Sequence, residues 1–229
     1  MKKAVIFDLF ETLITEWGHE KYTKKQMSQD LRCPYEAFVA HWEALHEKQY
    51  CGKITFSESL RYVCKQLQVD VDEQLIERIT SRRKETKAAC FDFAHPQIDP
   101  MLKTLREKGY RLGILSNCSE EEVEVLRSSP LSSMVDCLVL SNETGMCKPD
   151  PRIYRFIAQK LDVACEECVF IGDGGSRELY GAAEAGMQPF RAMWYIRPMP
   201  FPIQEQAGFQ LLESPMDVLG VIEGQNKKR

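Results

Sequence analysis

The hydrophobic positions along this chain follow two rhythms. The first is a series of short apolar runs that end in small or polar residues. These are AVIF before Asp8, YRLGIL before Ser116 and Asn117, DCLVL before Ser141, and CVFIG before Asp173. A weaker run, PFRAMWY, covers residues 189–195. Each has the length of a buried strand, and several are rich in Val, Ile and Leu. The second rhythm is helical: PMLKTLREKG, EEEVEVLRS, PRIYRFIAQKL and RELYGAAEAG. Pro100 and Pro151 suit first turns, and Gly109 and Gly186 suit helix ends. Strand then helix, repeated, predicts a parallel α/β sheet.

That alternation breaks between about residues 15 and 92, where no strand-like run occurs. The stretch reads as helices: YTKKQMSQDL, YEAFVAHWEALHEKQY, SESLRYVCKQLQ and DEQLIERITSRRKETKAACF. Phe38, Trp42 and Leu45 recur at helical spacing and make one apolar face, and Thr55 or Ser57 can cap the third segment. Phe38, Trp42 and Trp17 read as packing or hinge residues rather than substrate contacts. The expected organisation is a Rossmann-like, doubly wound α/β core of residues 1–14 and 93–229, with an all-helical cap over 15–92. The tail from 196 onward is Pro-rich, then amphipathic around SPMDVLGVIEG, which predicts a closing helix.

Composition narrows the functional classes. The chain has 229 residues, 44% of them apolar, and a formal net charge of -4. A substantial core is expected, and there is no basic patch of the kind nucleic-acid binding needs. The terminal NKKR reads as a solvated tail. The first ten residues do not read as a signal peptide, because the apolar run is short and meets Asp8. No stretch approaches the roughly 20 apolar residues that span a bilayer, so no membrane partner is expected. The nine cysteines lack a disulfide spacing framework and read as reduced thiols of a cytoplasmic protein. CEEC, with Cys165 and Cys168, lacks the second pair a zinc site needs. Balanced charge and a self-contained core permit a monomer.

In open α/β sheets, ligands bind beyond the carboxyl ends of the strands. Asp8, Thr12, Ser116, Asn117, Lys148, Asp173 and Glu178 are expected there, from four separate parts of the chain. Asp8 and Asp173 make an oxygen-rich site suited to Mg²⁺. Lys148, in GMCKPDP, supplies a point charge for an anionic oxygen. Ser116 and Asn117 offer a hydroxyl and an amide beside a helix start, which favours anions. Such a set fits phosphoryl transfer, with Asp8 as nucleophile and an aspartyl-phosphate intermediate. Taken singly, each residue has a plainer reading as a cap or a surface side chain. Four coincidences at four strand ends are hard to reconcile with that.

FDLFETL, ILSN, the lysine of GMCKPDP and IGDGGSRELYGAAEAGM resemble, in order and spacing, the four motifs of the haloacid dehalogenase superfamily. The helical insert resembles its type-one cap, and the likeness runs over essentially the whole chain. The resemblance implies that Asp8 is the nucleophile and that Thr12 and Ser116 hold substrate or nucleophile oxygens. It implies that Lys148 orders Asp8 and neutralises the transferring group. Mg²⁺ would be held by Asp8, the backbone carbonyl of Phe10 and Asp173. Glu178 would support it through water or pair with Lys148.

One position departs from the pattern. Phosphatases of this superfamily usually carry a second Asp where this chain has Phe10, as their acid and base. Such help is typically worth ~10²–10⁴-fold in rate. The superfamily's 2-haloacid dehalogenases carry an aromatic residue there, since halide leaves without a proton. They lack the leading Asp of the fourth motif, however, which this chain keeps as Asp173, followed by Glu178. No arginine for a haloacid carboxylate is evident at 14–22, ITEWGHEKY. A Mg²⁺-dependent phosphatase-like hydrolase of a small phosphorylated metabolite is therefore favoured. The alternatives are a metal-independent dehalogenase and a ligand-binding member with little catalysis. Glu11 belongs to the turn and is a poor mimic of position 10, and Glu16 and His19 read as solvated linker residues.

Overall fold

The computed structural model describes residues 1–199 and 206–227, with the side chains of 225–227 excepted. Six strands form one all-parallel sheet in the order β3-β2-β1-β4-β5-β6. The elements are β1 (Ala4–Phe7), β2 (Arg111–Ser116), β3 (Cys137–Leu140), β4 (Cys168–Gly172), β5 (Gln188–Ala192) and β6 (Leu211–Leu212). This is the Rossmann-type order, whose direction of winding reverses beside β1. The central strands are buried on both faces, as parallel strands must be when helices cover both sides.

The helices after β1 are α1 (Lys24–Asp30), α2 (Tyr35–Glu43), α3 (His46–Tyr50), α4 (Phe56–Gln66) and α5 (Glu73–Ala89). Next along the chain come α6 (Ile98–Glu107), α7 (Glu120–Ser128), α8 (Pro130–Met134), α9 (Ser141–Thr144), α10 (Pro151–Lys160), α11 (Glu178–Glu184) and α12 (Asp217–Lys227). Local chemistry sets several starts. Thr23 and Thr55 form capping boxes with Gln26 and Glu58, each satisfying two otherwise unpaired backbone N–H groups. Asp72 caps α5, and Asp150 caps α10 ahead of Pro151.

Alternation along β1 divides the core. Val5 and Phe7 face a cluster completed by α6 and α12, with Met101, Leu105, Val218 and Ile222. Ala4 and Ile6 face the other side, with Ile153 and Ile157 of α10 and Leu179 and Ala182 of α11. A third cluster lies wholly within the helical insert and includes Tyr22, Phe38, Trp42, Leu60, Val63 and Ile76. Phe38 and Trp42 stack with ring centroids 5.5 Å apart, so both pack as expected.

Several expectations need correction. The second helical segment divides into α2 and α3, and α8, α9 and β6 carry no periodic signal long enough to find them. The strand expected over 189–195 ends at Ala192. Trp194 and Tyr195 instead turn inward, donating to the carbonyls of Thr12 (2.8 Å) and Leu13 (3.3 Å). The expectation of nine reduced thiols also fails at one pair. Cys51 and Cys147 form a disulfide with Cα atoms 6.1 Å apart, so the thiol argument for a cytoplasmic location does not hold there. The bridge joins the end of α3 to the residue before Lys148. Cys165 and Cys168 remain free. The closing helix is present as α12; part of the Pro-rich tail, residues 200–205, lies outside the described residues, as do the last two residues of NKKR. No described helix is long and apolar enough to cross a membrane.

Gly181 of α11 packs on the segment that carries Lys148. A Cβ there would sit 2.3 Å from the Pro149 carbonyl oxygen. Gly181→Ala is expected to destabilise the fold by about 1–3 kcal/mol, the usual cost of overpacking. The check is a melting temperature several degrees lower; an unchanged one would show that this contact yields freely.

Candidate active site

The switch point between β1 and β4 brings the first and fourth motifs together. Phe7 is in register with Ile171, and the Asp8 N–H donates to the Ile171 carbonyl at 2.8 Å. Asp8 and Asp173 therefore leave adjacent strand ends. Lys148 arrives from the segment before α10 and is buried. Its Nζ donates to Asp8 Oδ1 and, at 2.5 Å, to Glu178 Oε2. Glu178 opens α11, and its second oxygen accepts from the Gly174 N–H at 3.1 Å. Gly172 leaves room for it, since a Cβ at 172 would lie 2.1 Å from Glu178 Oε1.

Asn117 fixes the lysine from behind. The Lys148 N–H donates to Asn117 Oδ1 at 2.8 Å, and Asn117 Nδ2 donates to the Lys148 carbonyl at 3.0 Å. Both ends of this amide hold main chain, so it sets the position of Lys148. Asp173 is placed similarly: Arg191 Nε donates to its carbonyl at 2.9 Å, and the Gly175 N–H donates to its Oδ1 at 2.9 Å.

The charges do not balance within the protein. Asp8, Asp173 and Glu178 offer oxygens that all lie within 4.8 Å of one another, against one ammonium. Burial alone would lower Lys148, but Asp8 and Glu178 outweigh it and hold the ammonium above its usual range. Burial, then the Asp8 charge, pushes Asp173 up. The same two causes push Glu178 well up, with Lys148 opposing. When all three are ionised, the carboxylates and one lysine leave two negative charges to neutralise. A hard divalent cation with oxygen ligands fits that deficit.

Asp8, Asp173, Glu178, Lys148 and Asn117 line one cavity of about 480 Å³, with Phe10 beside them. Thr12 and Ser116 do not line it. Both are buried; Thr12 Oγ1 has no hydrogen-bond partner within the protein, and Ser116 Oγ makes a long bond of 3.4 Å to the Asn117 carbonyl. Glu11 has φ +57°, and its oxygens accept from the Thr15 hydroxyl (2.5 Å) and the Glu16 N–H (2.9 Å). Its carboxyl thus closes the turn, as expected.

A further wall of the cavity, around Lys87, is not among the residues expected from the sequence. Lys87 of α5 is buried, with its Nζ 4.1 Å from the Phe10 ring centroid. It pairs with Glu16 and Glu122 at 2.5 Å each. Glu16 is therefore held in an ion pair rather than solvated: against the effect of burial, Lys87 and Arg83 bring its pKa down to about 2. His19 also is engaged, stacked on Phe93 with centroids 4.7 Å apart. Arg83 approaches Glu121 and Glu122 at 3.5 Å. Two signals point to this wall. One is the Ser119-to-Glu122 capping box just after ILSN. The other is the i,i+4 pair Arg83 and Lys87, on one helix face where the insert returns to the core.

The chain is similar to known proteins. The profile of the haloacid dehalogenase-like hydrolases matches residues 2–186. A glyceraldehyde 3-phosphate phosphatase of Methanopyrus kandleri is 29% identical over 199 residues, 83% of this chain and 84% of that one. An (S)-2-haloacid dehalogenase 4A of Burkholderia cepacia is 29% identical over 135 residues, 58% of this chain and 55% of that one. Among solved structures, a 2-haloacid dehalogenase from Pseudomonas syringae aligns over 98% of this chain and all of its own, with TM-score 0.70 and 20% identity. The last likeness concerns the fold.

Burial, then the neighbouring Glu122, pushes the Glu121 pKa from 4.5 up to about 7. In the unfolded chain this group ionises near its ordinary value, so rising pH between about 4.5 and 7 costs the folded state stability. Glu121→Gln is expected to melt above the parent protein at pH 8, with the margin shrinking at pH 5. Equal margins at both pH values would contradict a raised Glu121.

Proposed function

This chain belongs to the haloacid dehalogenase-like hydrolases, and within that family we propose that it is a Mg²⁺-dependent phosphohydrolase acting on a small phosphorylated metabolite through Asp8. One observation carries the proposal: three carboxylates with oxygens within 4.8 Å of one another, against the single ammonium of Lys148. Like charges so close call for a cation. The similarity to phosphatases named for glyceraldehyde 3-phosphate, in several organisms, supports the same direction.

Each residue of the site has a role in this chemistry. Asp8 attacks phosphorus, the bond to the leaving oxygen breaks, and an aspartyl-phosphate forms. Lys148 orients the attacking carboxylate and neutralises charge on the phosphoryl group, while Asn117 keeps Lys148 in place. Thr12 and Ser116 do not line the cavity and are given no contact with the transferred group. Asp8, Asp173 and the Phe10 carbonyl would hold the ion, with Glu178 in support; when bound, Mg²⁺ supplies charge neutralisation for the phosphoryl oxygens. The helical insert over 15–92 acts as the cap that excludes bulk water.

Phe10 sets the limit of this chemistry. The leaving oxygen needs a proton, and a phenyl ring has none to give. Substrates with stable leaving groups, such as acyl phosphates, are expected to turn over best. Phe10 also favours a second reading, a dehalogenase using the same Asp8 and releasing halide. A haloacid brings a carboxylate, which needs a cation to receive it. Among the described residues lining the cavity, every lysine and arginine already has an acidic or aromatic partner.

The deciding assay measures phosphate release from acetyl phosphate and 4-nitrophenyl phosphate beside halide release from chloroacetate and 2-chloropropionate. Phosphate release that needs Mg²⁺ and stops with EDTA is expected. Metal-independent halide release without phosphatase activity would establish the second reading. Phe10→Asp is expected to raise kcat for alkyl phosphates, up to the ~10²–10⁴-fold that general acid help provides. No gain there would mean that another group already supplies the proton.

A further inference from the structure

The cavity that Asp8 lines is built from both parts of the chain. Gln49 of α3 comes from the helical insert, and Glu121 of α7 from the core. Gln49 is 3% exposed and Glu121 1% exposed. Each has a buried polar atom with no hydrogen-bond partner within the protein, the amide nitrogen Nε2 of Gln49 and the carboxyl oxygen Oε2 of Glu121. Buried polar groups are nearly always paired, and each orphan is costly. These two are also held firmly in place. The Gln49 main-chain carbonyl accepts from Asn142 Nδ2 at 2.9 Å, and the disulfide from Cys51 lies two residues further on. The other Glu121 oxygen accepts from the Ser119 hydroxyl at 2.8 Å.

Their neighbours define what fits. Lys87 is satisfied by Glu16 and Glu122, Lys24 by Glu43 at 2.6 Å, and the Lys21 ammonium lies 3.2 Å over the Trp17 ring. Glu122 takes Lys87 and also the Ser119 N–H at 3.0 Å. An anionic tail on the substrate would find its cations already paired and Glu121 opposing it. A cationic tail would meet Glu121 but also Arg83 and Lys87. A purely alkyl tail would leave both orphans unpaired. A hydroxyl both accepts and donates, and so pairs with an amide N–H and with a carboxyl oxygen.

We infer that Gln49 and Glu121 form a leaving-group subsite that, among phosphomonoesters, favours those whose alcohol portion is uncharged and hydroxylated. This rests on the phosphohydrolase reading and names the substrate class of that site. Gln49 donates to a hydroxyl oxygen of the tail, and Glu121 pairs with a hydroxyl proton. Neither touches the reacting phosphorus; they decide which phosphoester is held.

The test compares kcat/KM for erythritol 4-phosphate and n-butyl phosphate, both with Mg²⁺. Both leave as alkoxides, so the lack of an acid at Phe10 slows both. The native protein is expected to prefer the hydroxylated substrate by about 10-fold or more, the usual effect of leaving buried polar groups unpaired. It is also expected to prefer it to phosphoserine and 3-phosphoglycerate, whose tails are charged. In Gln49→Met and in Glu121→Leu the ratio of hydroxylated to alkyl substrate is expected to fall towards one. The inductive effect of the hydroxyls is common to all forms, so the change in ratio isolates the subsite. Two variants are used so that failure of one to fold leaves the other, and the native preference stands as a third measurement. A native protein with no preference for the hydroxylated ester overturns the inference. So does a preference that both variants retain. Absence of Mg²⁺-dependent hydrolysis of every phosphoester, acetyl phosphate included, would instead remove the phosphohydrolase premise and the subsite with it.

Discussion

One ammonium shared by two buried carboxylates organises the functional end of this molecule. Lys148 meets Asp8 from the end of β1 and Glu178 from the start of α11, two elements brought together only by the 3-2-1-4-5-6 strand order. Removing one partner of such a buried pair typically costs about 3–5 kcal/mol. The surrounding details serve that placement. Asn117 clamps the Lys148 main chain, Gly181 lets α11 approach Pro149, and Gly172 makes room for Glu178. Because a third carboxylate, Asp173, joins the group, the lysine alone cannot neutralise it. The same arrangement that holds the fold together here therefore also leaves carboxylate charge that a cation would neutralise.

Phe10 looks at first like a missing part. In the folded protein it is a wall residue, packed beneath the Lys87 ammonium at 4.1 Å. Lys87 in turn joins α5 to the linker through Glu16 and to α7 through Glu122. The position that carries an acid in the superfamily's phosphatases is thus tied, in this chain, to the seam between the helical insert and the core. The Cys51–Cys147 bridge fastens the same seam on the Lys148 side.

How much of this is legible in the sequence depends on the range of the interactions. Strand ends carry their chemistry in adjacent residues, so Asp8, Asp173 and Glu178 can be found from the apolar runs that precede them, and Lys148 from its turn. The helix starts at α4, after Thr55, and at α10, with Pro151 in its first turn, are likewise readable. The cavity wall around Lys87 is not. Glu16 is 71 positions from Lys87, and Cys51 is 96 from Cys147. No periodicity records such pairings, and a charged linker residue reads as solvated until its partner is placed. The end of β5 is misread because Trp194 and Tyr195 are strand-like by composition, while their polar tips seek the carbonyls of Thr12 and Leu13. Composition alone cannot tell those two environments apart.

Asp8 is the residue that must receive the phosphoryl group if this chemistry is correct. The most direct measurement is rapid acid quench of the protein with acetyl phosphate and Mg²⁺, then peptide mass spectrometry. One phosphoryl group on the peptide containing Asp8, formed and lost at rates consistent with turnover, is the expected result. Steady phosphate release with no phosphorylated Asp8, or with the group on a different residue, would contradict it.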